Sequence, residues 1–176
     1  MILIGTGTFV SFWGMNAGLD AYESWREKAY LSNVGEKGPP FFFSTIEGKK
    51  VSSKHLDQAD RYYLNFVLLK CGFCKEQITQ LEKIAEKQQE KGYRFFNVVE
   101  RADGKERGKI QDHFYSLAPH VEIVVDTYQR LRKQFNVTSF PTLVVLDGRG
   151  EIVKIIIGAT LAFDKEFEEL LSKKGN

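Results

Sequence analysis

Apolar residues fall in short dense runs along this chain, separated by charged stretches with a helical period. The run Tyr62-Tyr63-Leu64-Asn65-Phe66-Val67-Leu68-Leu69 is interrupted by Asn65 alone and reads as a strand covered on both faces. Residues 75–91 follow, with Ile78, Leu81, Ile84 and Ala85 at three- and four-residue spacing. That spacing predicts a helix with one buried stripe, stopped by Gly92 as a C-cap. Residues 93–99 predict a second strand, 110–117 a helix ended by Pro119, and 121–125 a third strand. A helix over 127–135 leads to strands at 142–146 and 152–157, joined through Asp147-Gly148-Arg149-Gly150, where Asp-Gly is a hairpin signal. An amphipathic helix follows over 161–171. Upstream, Phe41-Phe42-Phe43-Ser44 and Glu47-Gly48-Lys49-Lys50-Val51 read as a short hairpin, and Ser52 or Ser53 can cap a helical turn through Leu56. Strands alternating with helices, then a terminal hairpin and helix, predict an α/β layer fold with a mixed sheet.

The first nineteen residues break this pattern. Residues 1–19 hold no charged side chain, and as a helix they would span roughly 28 Å, about the thickness of a bilayer core. Three readings fit: a membrane anchor, a cleaved export signal, or a segment buried against a partner subunit. No Lys or Arg precedes the apolar run, which disfavours a signal peptide. Residues 20–38 form a linker, partly helical where Tyr22, Trp25, Ala29 and Tyr30 share a face, and open at Asn33-Val34-Gly35-Glu36-Lys37-Gly38. Residues 39–176 form the folded domain.

Composition narrows the function. Hydrophobic residues make up 43% of the chain, enough for a packed core. Twenty-five basic and 23 acidic residues leave a net charge of +2, which offers no electrostatic footprint for nucleic acid. Lys49-Lys50 and Lys173-Lys174 read as solvated surface. The chain has two cysteines, and both lie in Cys71-Gly72-Phe73-Cys74.

Placed between a strand and a helix, that pair carries a mechanism. Unpaired N–H groups and the positive helix dipole end favour a thiolate on the first sulfur. A second thiol three residues on can resolve a mixed disulfide. Zinc would need four ligands, and no second pair exists, nor do His55, His113 and His120 have short ligand spacing. An inert disulfide closing so small a loop would stabilise little. A peroxidatic site would need one cysteine, not two. The residues therefore favour a dithiol–disulfide exchanger with no bound cofactor and no metal.

Over residues 39–174 the chain resembles the thioredoxin superfamily, and within it the TlpA/ResA-like membrane-anchored thioredoxins. Four features carry the resemblance: the N-terminal hairpin from Pro40 to Val51; the strand with Asn65 leading to Cys71 and Cys74; an inserted helix and strand between Arg101 and Asp126; and Thr138-Ser139-Phe140-Pro141-Thr142 with the last hairpin. The resemblance implies a thioredoxin-like fold, with the mixed sheet flanked by helices. It implies a cis bond before Pro141, so that the Phe140 backbone lies beside the cysteines and pairs with a substrate strand. It also implies an acidic residue just after the second core strand, Glu100, near enough to exchange a proton with Cys74, and a core amide at Asn65.

This chain departs from that family at two positions. Lys70 replaces the usual Trp before the first cysteine, and Phe73 replaces the usual Pro before the second. Lys70 favours the thiolate; Phe73 offers a ring to a partner, with Gly72 between. The resemblance implies a membrane-tethered reductant of protein disulfides on the extracytoplasmic side, of the kind used in cytochrome c maturation, supplied by a membrane electron donor. An exported soluble protein, or a non-catalytic subunit of a membrane complex, are the alternatives.

Overall fold

A computed structural model describes residues 34–56, 59–88, 92–101, 107–158, 165 and 167. The predicted membrane segment at 1–19, the helix at 20–31 and most of the C-terminal helix lie outside them. Among the described residues, no helix is long and apolar enough to cross a membrane.

Strands β1 (Phe42–Ser44) and β2 (Lys50–Ser52) form an antiparallel hairpin. Then come β3 (Arg61–Leu68), α1 (Gly72–Lys87), β4 (Tyr93–Arg101), α2 (Arg107–Leu117), β5 (Glu122–Thr127), α3 (Arg130–Gln134), β6 (Thr142–Asp147) and β7 (Ile152–Ile157). The main sheet has the order β5-β4-β3-β6-β7, with β3, β4 and β5 parallel and β6 and β7 antiparallel to their neighbours. This is the expected mixed sheet.

The central strand explains its own composition. β3 is buried on both faces, and its residues divide between two cores by strict alternation. Tyr63 and Val67 pack with Cys74, Ile78, Leu81, Phe95 and Val99 on the face covered by α1 and α2. Tyr62, Leu64 and Phe66 pack with Phe41, Phe43, Phe96, Val98, Leu131 and Phe135 on the face covered by the hairpin and α3. Tyr62, Tyr63, Phe66, Phe96 and Phe114 are fully buried, each contributing about 1.5–3 kcal/mol of transfer free energy. Phe167 reaches the first core by stacking on Tyr63.

Both edge strands are covered in part. Ile46 N–H donates to the Ile123 carbonyl at 2.8 Å, beside a bridge between Thr45 and Val124, so the hairpin shields β5. Residues predicted as open linker shield β7: Gly35 N–H donates to Ile152 O at 2.8 Å, and Ile152 N–H donates to Glu36 O at 2.9 Å. Gly38 permits this approach, because a Cβ there would lie 3.2 Å from Leu146 and 3.3 Å from the Gly150 carbonyl.

Several boundaries differ from expectation, each for a local reason. α1 ends with Gln88 as its C-cap, and Gly92 serves the next turn instead, in left-handed conformation with its carbonyl accepting Asp60 N–H. Ser53 does not cap a helix; its hydroxyl accepts Phe41 N–H across the hairpin, and Ser52 closes a simple turn. β4 runs to Arg101, so Glu100 lies on a strand rather than after one. The helix expected over 127–135 shrinks to α3, because Tyr128 and Gln129 adopt φ of 65° and 57°.

Candidate functional site

All the candidate chemistry gathers at one end of the central strands. The parallel strands β3 and β4 run out there, with Leu68, the last residue of β3, in register with Glu100, one residue before β4 ends. β6 starts there, with Thr142 opposite Phe66. Cys71 and the Phe140–Pro141 peptide therefore emerge side by side from neighbouring strands. That peptide bond is cis.

Cys71 is the N-cap of α1, in extended conformation, and its Sγ accepts the Cys74 N–H at 3.1 Å. β3 ends at Leu68, Leu69 and Lys70 turn the chain, and α1 begins at Gly72 with free N–H groups, so the Cys71 sulfur takes the cap position. Negative charge on Cys71 would meet that N–H and the positive end of the helix dipole. The two cysteines form a disulfide with Cα atoms 5.1 Å apart. They are not equivalent: Cys74 is fully buried, whereas Cys71 is part-exposed. Lys70, Gly72 and Phe73, which flank Cys71 in the chain, are exposed, and Phe73 at 70% exposure packs against nothing that hides it.

Beneath Cys74, on the α1 face of the sheet, three buried amides form a chain. Gln77 Nε2 donates to Asn65 Oδ1 at 2.8 Å, and Asn65 Nδ2 donates to Asn97 Oδ1 at 2.9 Å. All three residues have no exposed surface. The chain leaves Gln77 Oε1 and Asn97 Nδ2 without partners. Such a buried group costs about 1–3 kcal/mol. Asn65 is thus the core amide the resemblance implies, joined to two residues the sequence reading missed. Both left a signal: Gln77 stands on the apolar stripe of α1, three residues after Cys74, and Asn97 interrupts the apolar run of β4 directly opposite Asn65.

Glu100 is placed otherwise than expected. Alternation along β4 puts Asn97 and Val99 on the α1 face, with Cys74, and Glu100 on the opposite face with Phe96 and Val98. There its carboxylate accepts Arg132 Nη1 at 3.0 Å and Gln129 Nε2 at 2.7 Å. The carboxylate aimed at Cys74 that the resemblance implies is replaced by an ion pair with α3. The neighbouring Asp126, in register with Glu100 and buried, accepts the N–H groups of Leu131 at 3.0 Å and Arg132 at 2.9 Å, and so starts α3. Arg132 goes on to donate through Nε to the Val137 carbonyl at 3.0 Å, and its guanidinium lies 5.2 Å from the centre of the Phe140 ring. Phe140 touches both cores and Pro141 is buried. Gly158 N–H donates to the Pro141 carbonyl at 2.7 Å, and Thr142 Oγ1 donates to the Ser139 carbonyl at 2.8 Å.

Comparison with known proteins agrees with this geometry. A model of the Redoxin family matches residues 33–171. The chain is 24% identical over 155 residues to the thiol-disulfide oxidoreductase ResA of Halalkalibacterium halodurans, covering 88% of this chain and 86% of that one. Among solved structures it is similar to StoA from Bacillus subtilis, with a TM-score of 0.61 and 23% identity over 75% of this chain and 96% of that chain. A secreted disulfide oxidoreductase of Mycobacterium tuberculosis, homologous to DsbE of E. coli, gives a TM-score of 0.61 with 21% identity over 75% of this chain and 95% of that one. With its two-cysteine helix cap and its mixed five-stranded sheet, the chain belongs to the Redoxin family, as a TlpA/ResA-like member of the thioredoxin superfamily.

Proposed function

We propose that this thiol–disulfide oxidoreductase reduces disulfides in protein clients, tethered to a membrane through residues 1–19 with its redox domain on the extracytoplasmic side. The observation that supports it most is the asymmetry of the cysteines: a part-exposed Cys71 at a helix cap backed by a fully buried Cys74. In the reduced form the Cys71 thiolate attacks one sulfur of the client disulfide. A Cys71–client disulfide forms, and the other client sulfur leaves as a thiolate that takes a proton. Cys74, as thiolate, then attacks Cys71 Sγ; the mixed disulfide breaks and the second client thiol is released. Two electrons pass to the client, and the Cys71–Cys74 disulfide must be reduced again by a dithiol donor, for which a membrane electron donor is the proposed source.

The client would lie as an added strand along the backbone at Phe140 and Pro141, with Phe73 and Lys70 contacting it beside the sulfur and Gly72 leaving room. Asn65 tunes the site through the buried amide chain and Glu100 through α3. The uncharged length of residues 1–19 supports tethering, and a relative sharing the fold is described as secreted. The test is insulin reduction by the reduced full chain. Catalysed precipitation that Cys71→Ser abolishes is the expected result; a wild-type chain no faster than free thiol would point to the non-catalytic subunit. Retention in the membrane fraction through carbonate washing tests the tether.

A further inference from the structure

We propose that Arg132 is the positioning residue of the client-binding loop and that Glu100 serves the site as its counter-ion. This rests on the reading that protein clients dock at Phe140 and Pro141. Three contacts converge on the Arg132 side chain, and a fourth holds its backbone. Glu100 holds the guanidinium by Nη1, at 3.0 Å to one carboxylate oxygen and 3.3 Å to the other. Nε is committed to the Val137 carbonyl, three residues before Phe140. The guanidinium carbon lies over the Phe140 ring, 5.2 Å from its centre. The Arg132 backbone N–H is fixed by Asp126. The arginine thus braces both flanks of Thr138-Ser139 from outside the loop.

The chain bears a conformational cost to make this arrangement. Tyr128 and Gln129 both take left-handed backbone conformations, which non-glycine residues rarely adopt, at about 1–3 kcal/mol each. Those two residues turn the chain sharply after β5 and start α3 beside Glu100, where Gln129 adds its own hydrogen bond to the carboxylate. Arginine suits the position better than lysine, because one planar group can serve a carboxylate, a carbonyl and an aromatic face together. With side-chain exposures of 28% for Arg132 and 17% for Glu100, the pair is shielded more than a surface salt bridge is. The loop is thereby held ready before a client arrives, which lowers the ordering cost of binding.

The test compares the full-length wild type with Arg132→Met, Arg132→Lys, Glu100→Gln and the Arg132→Met/Glu100→Gln pair. Insulin reduction provides KM and kcat, glutathione the redox equilibrium, and thermal melting the fold. Arg132→Met should raise KM for insulin about tenfold, equivalent to about 1.4 kcal/mol, with kcat and the glutathione equilibrium moved less than about twofold. Arg132→Lys should recover melting temperature more than KM. Glu100→Gln should raise KM less than Arg132→Met and add nothing in its background. An unmoved KM in a folded Arg132→Met protein would overturn the assignment while leaving the reductase reading intact. So would an effect of Glu100→Gln on the pH profile of glutathione exchange in the Arg132→Met background, which would mean the carboxylate acts on the thiols directly. A wild type unable to reduce insulin would remove both.

Discussion

The two faces of the sheet at its active end are built on opposite principles. On the α1 face, beneath Cys74, the polar groups are uncharged, fully buried and joined to one another: Gln77, Asn65 and Asn97. On the α3 face the polar groups are carboxylates and a guanidinium: Glu100 and Arg132, part-exposed, and Asp126, buried behind them, ending on Phe140. An amide cannot accept a proton at neutral pH, so the groups beneath Cys74 keep a fixed charge. An ion pair holds the geometry of the Phe140 loop against solvent. On the proposed function, the contrast separates redox chemistry from docking across a single sheet.

The comparison can be broken most severely on the amide face. Asn65→Ala would strand Gln77 Nε2 and Asn97 Oδ1 in the core, and denaturant unfolding should show a loss of about 2–4 kcal/mol. Replacing all three amides by apolar residues of similar size should cost much less, since no orphaned group remains. On the ionic face, Asp126→Ala removes the acceptor of two N–H groups at the start of α3. A loss of about 1–2 kcal/mol is expected by the same measurement. Phe73→Ala touches neither face. It should leave the melting temperature unchanged and raise KM for a protein client about three- to fivefold, or roughly 1 kcal/mol.

The smallest effect lies far from the site. Tyr115 donates a hydrogen bond to Glu47, which pushes the Tyr115 phenol up to about 12. Burial opposes ionisation of Glu47, but hydrogen bonds from Tyr115, Thr45 and its own backbone N–H, with the charge of Lys49, together hold its carboxyl below 4.5. A lowered carboxyl stabilises the fold above its unfolded value and loses that contribution as pH falls through the folded one. A raised phenol contributes below pH 10 and loses its contribution as pH rises toward 12. Tyr115→Phe should therefore cost less than about 0.5 kcal/mol at pH 7, and the difference in melting temperature should shrink at both pH extremes.

Much of this architecture was legible in the order of apolar runs. The run containing Asn65 marked the central strand because a strand covered on both faces has no polar side to show. The two cysteines marked the junction after it, and Pro141 marked the loop beside it. The side of the sheet that Glu100 occupies was not legible, for a definite reason. A strand ending at residue 99 leaves Glu100 in a loop, free to point anywhere; a strand continuing to Arg101 fixes it by alternation on the side away from Cys74. Gln77 was readable from its place on the helix stripe, but a short stripe tolerates one polar residue without comment. Arg132 left no signal at all. In sequence it is one cation in a basic helical stretch, and its position depends on two left-handed residues, Tyr128 and Gln129, that no local propensity predicts.

The central claim is that a part-exposed Cys71 and a buried Cys74 divide the work of attack and resolution. Client trapping tests it most directly. Reduced Cys74→Ser and Cys71→Ser proteins are incubated with an oxidised protein client, and mixed disulfides are counted on non-reducing gels. Cys74→Ser should accumulate a covalent complex that dithiothreitol releases, and Cys71→Ser should accumulate none. Equal trapping by the two variants, or trapping by Cys71→Ser alone, would contradict the account.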